Sequence, residues 1–550
     1  QIEGCGHVIE ELNLSENEKF DEEFVLSKNN IIFKNENSSL KVQEPEINQR
    51  LDLSTKNSFM FRSWNVKNSP LLPLFQVEIN KKGLSKLWIH TNSISERINF
   101  NDKNLIEFFK NNFGCFLLAD KWKNFLNDEI LNLSEFKIGK TNKSISLCIE
   151  ISNEFEILEW SFHLTEVNCV AIIDNKILEA IHKNNSKSRI TSRLLKPIKD
   201  YLEEINFLLE ICQQFRKKQI SRGKCEISKE PNNIKSLEEF YFHKPSSYDN
   251  DFLEPLNSND VQTFISPLLF EADSIWFQHS SNFKIHNVCF PAISSSKLNI
   301  NEIIKNTQLL ETDLELDENG NLTFEKLIIC AKEDNKKRII NKYLINNSYI
   351  NKAKISNIAI KEIESNPSLS PWTLPSLDYV NLINQYSLYN MFKNGKTFRK
   401  GSKEVNIFKK DSWKQVNWNL FNASNLKISN TLFNDILIDK YNSYKYKDQL
   451  FRSNYINIKQ IREAEKLIGK VFKGLIITVQ SYGFFVELPD LYVEGLVHVS
   501  TLNDDWYEYR SRQNLLVGRK SKNTYRVGDF IDIKVVKVDI LKYQIDLETN

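Results

Sequence analysis

Two adjacent carboxylates, Asp504 and Asp505 in LNDDW, are of a type and spacing that could hold a divalent cation. Carboxylate oxygens are the side-chain ligands that Mg²⁺ prefers, but this pair falls in a stretch typical of a solvated loop. The eight cysteines contain no CxxC pair, and the isolated histidines have no metal-ligand spacing. Those histidines are His90, His163, His182, His243, His279 and His286. Local motifs therefore predict no metal site.

A second stretch, SPWTLPSLDYVNLINQYSL from Ser370, places a Trp, two prolines and a Tyr before an apolar helical pattern. Prolines are common just before a helix and at its first turn. The apolar positions are Val380, Leu382, Ile383, Tyr386 and Leu388. The pattern predicts a buried helix, and it raises the question of whether the residues before it once lined an active site.

The elements that would position these residues are strands in the first third of the chain and long helices after them. Residues 59–94 contain two apolar runs separated by NKKG, which predicts a hairpin, and two more strands are predicted from SISLCIEI and EWSFHLTEVNCVAIID. The clearest helix is DYLEEINFLLEICQQFRKKQISRG, whose apolar residues share one face and whose basic end suits the C-terminal helix dipole.

Five short strands with glycines at the turns follow Phe472, in GLIITVQ, GFFVEL, EGLVHVS, DFIDIKVVKVD and YQIDLE. This spacing predicts a small barrel of the OB type. Phe484 and Phe485 are adjacent along the chain, so they cannot both point into the barrel.

The segment 470–548 resembles the S1 motif of RNA-binding proteins. The resemblance implies that Tyr482, Phe485 and His498 face single-stranded RNA, while Phe484 points into the core. Aromatic faces stack on any base for ~1–3 kcal/mol each, and nearby cations contact the phosphates. The candidates for phosphate contacts are Arg510, Arg512 and Lys542.

Three stretches occur in the order expected of the ribonuclease II and ribonuclease R family, whose catalytic domain is called RNB. They are QRLDLSTKNSFMF, YLEEINFLLEICQQFRKKQISRG and PWTLPSLDYVNLINQ, within roughly residues 50–395, and the similarity is weakest over 229–360. The resemblance implies an α+β chain with three parts: a segment 1–50 derived from an RNA-binding domain, an RNB domain of mixed sheet and helices over 51–465, and an S1 barrel over 466–550.

That family threads RNA by its 3′ end and cuts it one nucleotide at a time with Mg²⁺ held by aspartates. Aligning the strand end PLF places Ser63 (or Arg62), Ser69, Leu71 and Leu72 where the aspartates belong, and Thr91 where a further one is expected. No Asp or Glu occurs between Asp52 and Glu78. In the later segment Trp372, Thr373, Pro375, Tyr379 and Asn384 match the family, but Leu377 replaces the arginine that steadies the scissile phosphate.

The resemblance therefore predicts an RNA-binding protein without catalytic residues and without a cofactor. Such a protein could protect single-stranded RNA or deliver it to another ribonuclease or an RNA-processing complex. The alternatives are an active Mg²⁺-dependent 3′–5′ exoribonuclease with an unrecognised metal site, and a protein–protein scaffold that no longer binds RNA.

Composition bounds these hypotheses. The 550 residues are too many for one core, and a formal net charge of +2 means that RNA binding must use local basic patches. Apolar runs are shorter than the ~20 residues that cross a bilayer, so no membrane contact is expected. Unpaired cysteines in apolar contexts predict a reducing cytoplasm. The first residue is Gln, without an initiator Met or a signal peptide, so a preceding domain stays an open alternative.

Overall fold

The computed structural model describes residues 20–31, 33, 40–62, 69–80, 83–102, 104–118, 121–185, 193–221, 261–290, 352–356, 368–401, 403–488 and 493–550. Two closed five-stranded barrels dominate this part of the chain, one in each terminal half. The strands before residue 400 are β1 (Leu51–Phe61), β2 (Leu74–Glu78), β3 (Leu84–Asn92), β4 (Phe116–Leu117), β5 (Trp122–Lys123), β6 (Thr141–Ser152), β7 (Ile157–Ile173), β8 (Asn287–Cys289) and β9 (Lys354–Ser356).

Helices surround the first barrel and connect it to the second. They are α1 (Asp21–Lys28), α2 (Leu105–Asn111), α3 (Asp128–Ser134), α4 (Asn175–Asn185), α5 (Leu202–Ser221), α6 (Val261–Asn282), α7 (Tyr379–Asn394), α8 (Ala423–Leu432) and α9 (Asp435–Glu465). The predicted hairpin, the two further strands and the long amphipathic helix are present as β2–β3, β6, β7 and α5. None of the described helices is both long and apolar enough to cross a lipid bilayer.

The first barrel has the strand order β1–β2–β3–β6–β7 and closes where β7 runs parallel to β1. Neighbouring side chains on a strand point to opposite faces. One face of these strands packs against α5 and α6 in a continuous apolar cluster that includes Phe59, Phe75, Ile89, Leu147, Phe162, Leu208 and Trp276. The helices therefore cover the outside of this barrel.

The opposite face of the same strands carries a buried polar network. His90 Nε2 lies 3.3 Å from Gln76 Oε1, and His90 Nδ1 lies 2.8 Å from Ser146 Oγ, which in turn lies 2.6 Å from Thr165 Oγ1. Because the Gln76 oxygen only accepts, Nε2 donates to it and Nδ1 accepts from Ser146. Burial lowers the pKa of His90 to about 3, so the ring is neutral near pH 7.

Helix α7 is buried on every side from Tyr379 to Met391, which is the pattern of a core helix. Asp378 caps it, because its side chain accepts a hydrogen bond from the Asn381 backbone N–H at 3.0 Å. The Asn384 side chain bonds Val288 through both of its polar atoms and also donates to the Pro371 carbonyl oxygen at 2.8 Å. The residues that match the family in this stretch therefore hold the scaffold together.

The 31-residue helix α9 belongs to two cores. Phe451, Tyr455 and Ile458 pack in the large apolar cluster that also contains Leu72 and Tyr379. Ile461 and Ala464 pack in the core of the second barrel. Helix α1 lies against α9, where Arg462 Nε donates to Asp21 Oδ2 at 2.8 Å in a buried ion pair. The predicted boundary at residue 465 falls at the end of this shared helix, and the origin of residues 1–50 stays a prediction.

The second barrel has the strand order β10–β11–β12–β17–β16, which is the predicted five-stranded barrel. A separate three-stranded sheet, β13–β14–β15, is inserted between β12 and β16. The strands are β10 (Val471–Gln480), β11 (Gly483–Leu488), β12 (Val493–His498), β13 (Tyr507–Arg510), β14 (Leu515–Gly518), β15 (Thr524–Arg526), β16 (Phe530–Asp539) and β17 (Gln544–Thr549). The sequence pattern predicts the barrel but does not reveal the inserted sheet.

Candidate nucleic-acid interface and candidate catalytic centre

The aromatic residues of β11 divide between the two faces of the second barrel, as their alternation predicts. Phe484 is fully buried in the core, Phe485 is half-buried on the outer face, and Tyr482 is 45% exposed in the turn before β11. The rings of Tyr482 and Phe485 are perpendicular, with centroids 6.4 Å apart. Gly483 permits this tight turn, because a Cβ there would lie 2.2 Å from the Val497 carbonyl oxygen.

His498 lies on the same outer face. It pairs across the strands with Gly483, two residues from Phe485, and its side chain is exposed. The Ser500 backbone N–H donates to His498 Nδ1 at 3.2 Å. Because Nδ1 accepts, the neutral ring carries its proton on Nε2, which can donate to an acceptor such as a phosphate or base oxygen. The fold therefore brings Tyr482, Phe485 and His498 together at one end of the barrel.

The inserted sheet begins at the same end. The Val499 N–H donates to the Tyr482 carbonyl oxygen at 2.8 Å, and the Tyr525 ring stacks on Phe484 with centroids 4.6 Å apart. Arg510 ends β13 and Arg512 follows in the β13–β14 turn, and both side chains are exposed. The structure therefore places these two arginines on the sheet that adjoins the aromatic residues.

Lys542 lies at the opposite end of the barrel. Strands β12 and β17 are parallel, with Leu496 opposite Asp546, so the β16–β17 turn lies near the start of β12 while His498 lies at its end. The offset is about six residues, or roughly 20 Å along the strands. Lys28 of α1 donates to the Leu541 carbonyl oxygen at 2.8 Å, which shows that this turn packs against the first half of the chain. The fold does not bring Lys542 to the aromatic face.

Asp504 and Asp505 hold the inserted sheet together. Asp505 accepts hydrogen bonds from the Trp506, Lys520 and Ser521 backbone N–H groups, each at 2.7 Å. These bonds lower the pKa of Asp505 to about 2, led by the bond from Ser521. Asp504 accepts from the Tyr507 hydroxyl at 2.7 Å. Their oxygens anchor a turn, which agrees with the loop predicted for this pair.

The two segments in which catalytic residues are expected meet at the apolar cluster that includes Leu72 and Tyr379. The Leu71 backbone N–H donates to Ser376 Oγ at 2.8 Å, next to Leu377. Leu72 is 3% exposed, and Leu71 and Leu377 pack half-buried against the same apolar cluster. Ser69 is half-buried, whereas Ser63 lies outside the described residues.

Cys115 braces the second of these segments. Its backbone N–H donates to the Leu377 carbonyl oxygen at 2.8 Å, and its Sγ lies 3.0 Å from the Ser376 carbonyl oxygen. Thr91 is fully buried, where it donates to the Ile145 carbonyl oxygen at 2.8 Å and accepts from Gln385 Nε2 at 3.0 Å. Thr91 therefore joins β3 to β6 and α7.

The nearby carboxylates also have structural partners. Asp378 accepts from the Tyr441 hydroxyl at 2.9 Å and lies 3.5 Å from Lys445 Nζ. Asp273 accepts from the Trp372 backbone N–H at 3.3 Å, and burial raises its pKa well above the usual range. Over the part of the chain that the structure describes, no three His, Cys, Asp or Glu side chains form a metal-binding group. The leucines at this centre offer no oxygen ligands, so the described residues do not fit a resident Mg²⁺.

Trp506 is a candidate that the sequence interpretation missed. Its side chain is 72% exposed in the inserted sheet, directly before the buried Tyr507. The run WYEYR alternates between the faces of a strand, and that alternation was the available signal.

Two family models match this chain. The RNB domain matches residues 50–394, and the S1 RNA binding domain matches residues 465–550. Over 135 residues the chain is 42% identical to the acetazolamide conferring resistance protein zam of Synechocystis, and over 79 residues it is 44% identical to ribonuclease R of Escherichia coli. These segments make up 24% and 14% of this chain but only 17% and 10% of the two relatives.

Solved structures with the same fold cover nearly the whole chain. Mycoplasma genitalium RNase R in complex with ribose methylated single-stranded RNA superposes with a TM-score of 0.71 at 16% identity, covering 96% of this chain and 77% of that one. Yeast Ssd1, described as a pseudonuclease, superposes with a TM-score of 0.61 at 14% identity, covering 91% of this chain and 58% of its own. At these identities the likeness establishes the fold.

Proposed function

Because this chain belongs to the ribonuclease II and ribonuclease R family and ends in an S1 domain, we propose that it binds single-stranded RNA without cleaving it. The two halves of the proposal rest on different regions. The proposed binding rests on the exposed aromatic end of the second barrel. The proposed loss of cleavage rests on Leu71, Leu72 and Leu377.

The observation that carries the loss of cleavage is the contact between the two degenerate segments. Leu71 and Ser376 are hydrogen-bonded at 2.8 Å, and Leu71, Leu72 and Leu377 all contact one apolar cluster. Phosphodiester hydrolysis needs an activated water and a cation that neutralises the leaving oxygen. Leu71, Leu72 and Leu377 supply neither a carboxylate nor a guanidinium, and the nearby Asp378 and Asp273 are held by structural partners.

The aromatic end of the second barrel supports binding. Tyr482 and Phe485 present ring faces and edges on which bases can stack, and His498 offers a donor beside them. Stacking tolerates any sequence because every base has a π face. Cations on the neighbouring sheet would contact the phosphates, as expected for a chain whose net charge is only +2.

The experiment that tests both halves incubates the purified chain with 5′-labelled single-stranded RNA and Mg²⁺ or Mn²⁺. We expect salt-dependent binding and no shortening of the RNA, with active ribonuclease R as the positive control. Shortening that scales with protein concentration and stops with EDTA would show an active exoribonuclease and overturn the loss of cleavage. Absence of binding at low salt would overturn the first half and favour a protein scaffold.

The aromatic pair gives a sharper test of where RNA binds. The change of both Tyr482 and Phe485 to Ala should weaken binding about a hundredfold, because two stacking contacts of ~1–3 kcal/mol are lost. Fluorescence anisotropy with labelled RNA measures this change. The matched control is Phe398→Ala, which removes an aromatic ring of 62% exposure outside the second barrel. Equal effects of the two changes would contradict the assignment.

The cellular setting of the proposal is the cytoplasm, where the protein would protect RNA or deliver it to another ribonuclease or an RNA-processing complex. Its support is the state of the cysteines. The described cysteines are buried and form no disulfide, which is typical of a reducing compartment.

A further inference from the structure

The inserted sheet β13–β14–β15 has one face turned toward the barrel and one face turned away. Tyr507 and Leu516 are buried in the barrel core, and Tyr509 and Tyr525 pack half-buried against it. Because side chains alternate along a strand, the residues between them point outward. The inner face therefore fixes the orientation of the outer one.

The register assigns the outer face residue by residue. The Arg519 N–H donates to the Trp506 carbonyl oxygen at 3.0 Å, so these residues lie opposite each other at one edge of the sheet. Arg510 pairs with Leu515, and Leu515 pairs with Arg526. These two arginines therefore flank Leu515, with their backbones roughly 10 Å apart. We call these outward residues, Trp506, Arg510, Arg519 and Arg526, the insert face.

Trp506 is presented on a rigid backbone. Its own N–H donates to Asp505 Oδ1 at 2.7 Å, while Asp505 Oδ2 accepts from the Lys520 and Ser521 N–H groups. The indole of Trp506 points away from the barrel core, because the next residue, Tyr507, is the one that packs in that core. An exposed aromatic ring on a preorganised turn binds at low entropic cost, since the backbone is already ordered.

The charge of the insert face is positive. Glu508 is the acidic residue that points outward between the strands, and it lies 3.9 Å from Arg519 Nε. Arg526 Nε lies 3.8 Å from Asp529. Both pairs are exposed, so they compete weakly with a polyanion. Arg510 is exposed at the far end of β13, about 13 Å from Trp506.

We propose that the insert face is a second contact for the same RNA strand, in which the Trp506 indole stacks on a base and Arg510 and Arg519 contact phosphates. This inference rests on the proposed RNA binding. The combination of an exposed indole with cations on one sheet face matches the chemistry of an unpaired strand, whose bases are available for stacking. The insert follows β12, which ends at His498, and the Val499 N–H donates to the Tyr482 carbonyl oxygen, so an RNA strand bound at the barrel aromatics can continue onto the insert face.

The test compares RNA lengths on the full chain. Trp506→Ala should weaken binding of a 20-nucleotide RNA about tenfold. The same change should leave the affinity for a 5-nucleotide RNA unchanged, because that RNA is long enough to reach only Tyr482, Phe485 and His498. Trp506→Phe should keep most of the affinity because a ring remains. Arg510→Ala combined with Arg519→Ala should lower the slope of log affinity against log salt by about 1.4, whereas Trp506→Ala should not change it.

Three outcomes overturn the inference while the proposed RNA binding stands. They are wild-type affinity of Trp506→Ala for the long RNA, an equal loss for both lengths, and a change of oligomeric state without a change in RNA affinity. Failure of the wild-type chain to bind either RNA instead overturns the proposed function itself. Phe398→Ala is the matched control, and circular dichroism checks that each variant is folded.

Discussion

The two barrels of this protein use the two faces of their strands in different ways. In the first barrel helices α5 and α6 cover the outside, and polar side chains around His90 lie on the opposite face. In the second barrel the core is apolar, and the outer face carries Phe485 and His498. Among the residues that the structure describes, the side chains proposed to contact RNA lie on the outer face of the second barrel.

The two halves of the proposal, RNA binding and loss of cleavage, rest on these two different regions. Contact residues on the outer face of the second barrel are set by β11 and β12 themselves. The expected catalytic residues instead lie where the segment before β2 meets the segment before α7. Apolar side chains at that junction pack in or against a buried apolar cluster.

The largest effect that would break this comparison comes from a carboxylate placed in the first half. Leu72→Asp should lower the free energy of unfolding by about 4 kcal/mol or more, because an unpaired charge would be buried in an apolar cluster. Chemical denaturation followed by fluorescence measures it. The matched change on the second barrel is Leu496→Asp on the outer face, with an expected cost of about 1 kcal/mol or less. If both changes lowered the free energy of unfolding by a similar amount, the junction around Leu72 would be hydrated and would tolerate a charge.

A smaller effect concerns acid. Burial lowers the pKa of His279, which packs between Trp160 and Phe283, to about 3. The unfolded chain titrates near 6.5, so it binds more protons than the folded chain between these values, and stability falls as pH falls from about 6.5 to 3. The change from pH 7.5 to 4.5 should cost about 2–3 kcal/mol for this group. His279→Phe should remove that share.

The control for the acid experiment is Phe283→Leu, which changes the same packing without a titratable group. It should shift the denaturation midpoint equally at both pH values. If His279→Phe showed the same pH dependence of stability as the wild-type protein, the His279 ring would not be held neutral in the folded protein.

The smallest predicted effects distinguish the two ends of the second barrel. Arg510→Ala should weaken RNA binding about threefold and lower the salt slope by about 0.7, because one phosphate contact is lost. Lys542→Ala should change neither quantity, since that side chain lies at the far end beside Asp539. A lower slope for Lys542→Ala would mean that RNA passes along the whole barrel. Affinity titrations at several salt concentrations measure both.

The local patterns predicted most of the elements but not all of their neighbours. The strands of the second barrel and helix α7 follow from alternation and from an apolar run behind prolines, which are local signals. The inserted sheet was missed because its strands have three or four residues, so their alternation gives only a short periodic signal. Trp506 was missed with it, since its exposure depends on Tyr507 facing the barrel.

The sequence by itself determined the family, the strand alternation that separates Phe484 from Phe485, and the apolar character of Leu71, Leu72 and Leu377. Only the tertiary structure decided which of these residues meet. It joined Leu71 to Ser376 across 305 positions, gathered Tyr482, Phe485 and His498 at one end of a barrel, and put Lys542 at the other end. The physical reason is register: strand pairing and barrel closure fix which ends coincide, and no local pattern carries that information.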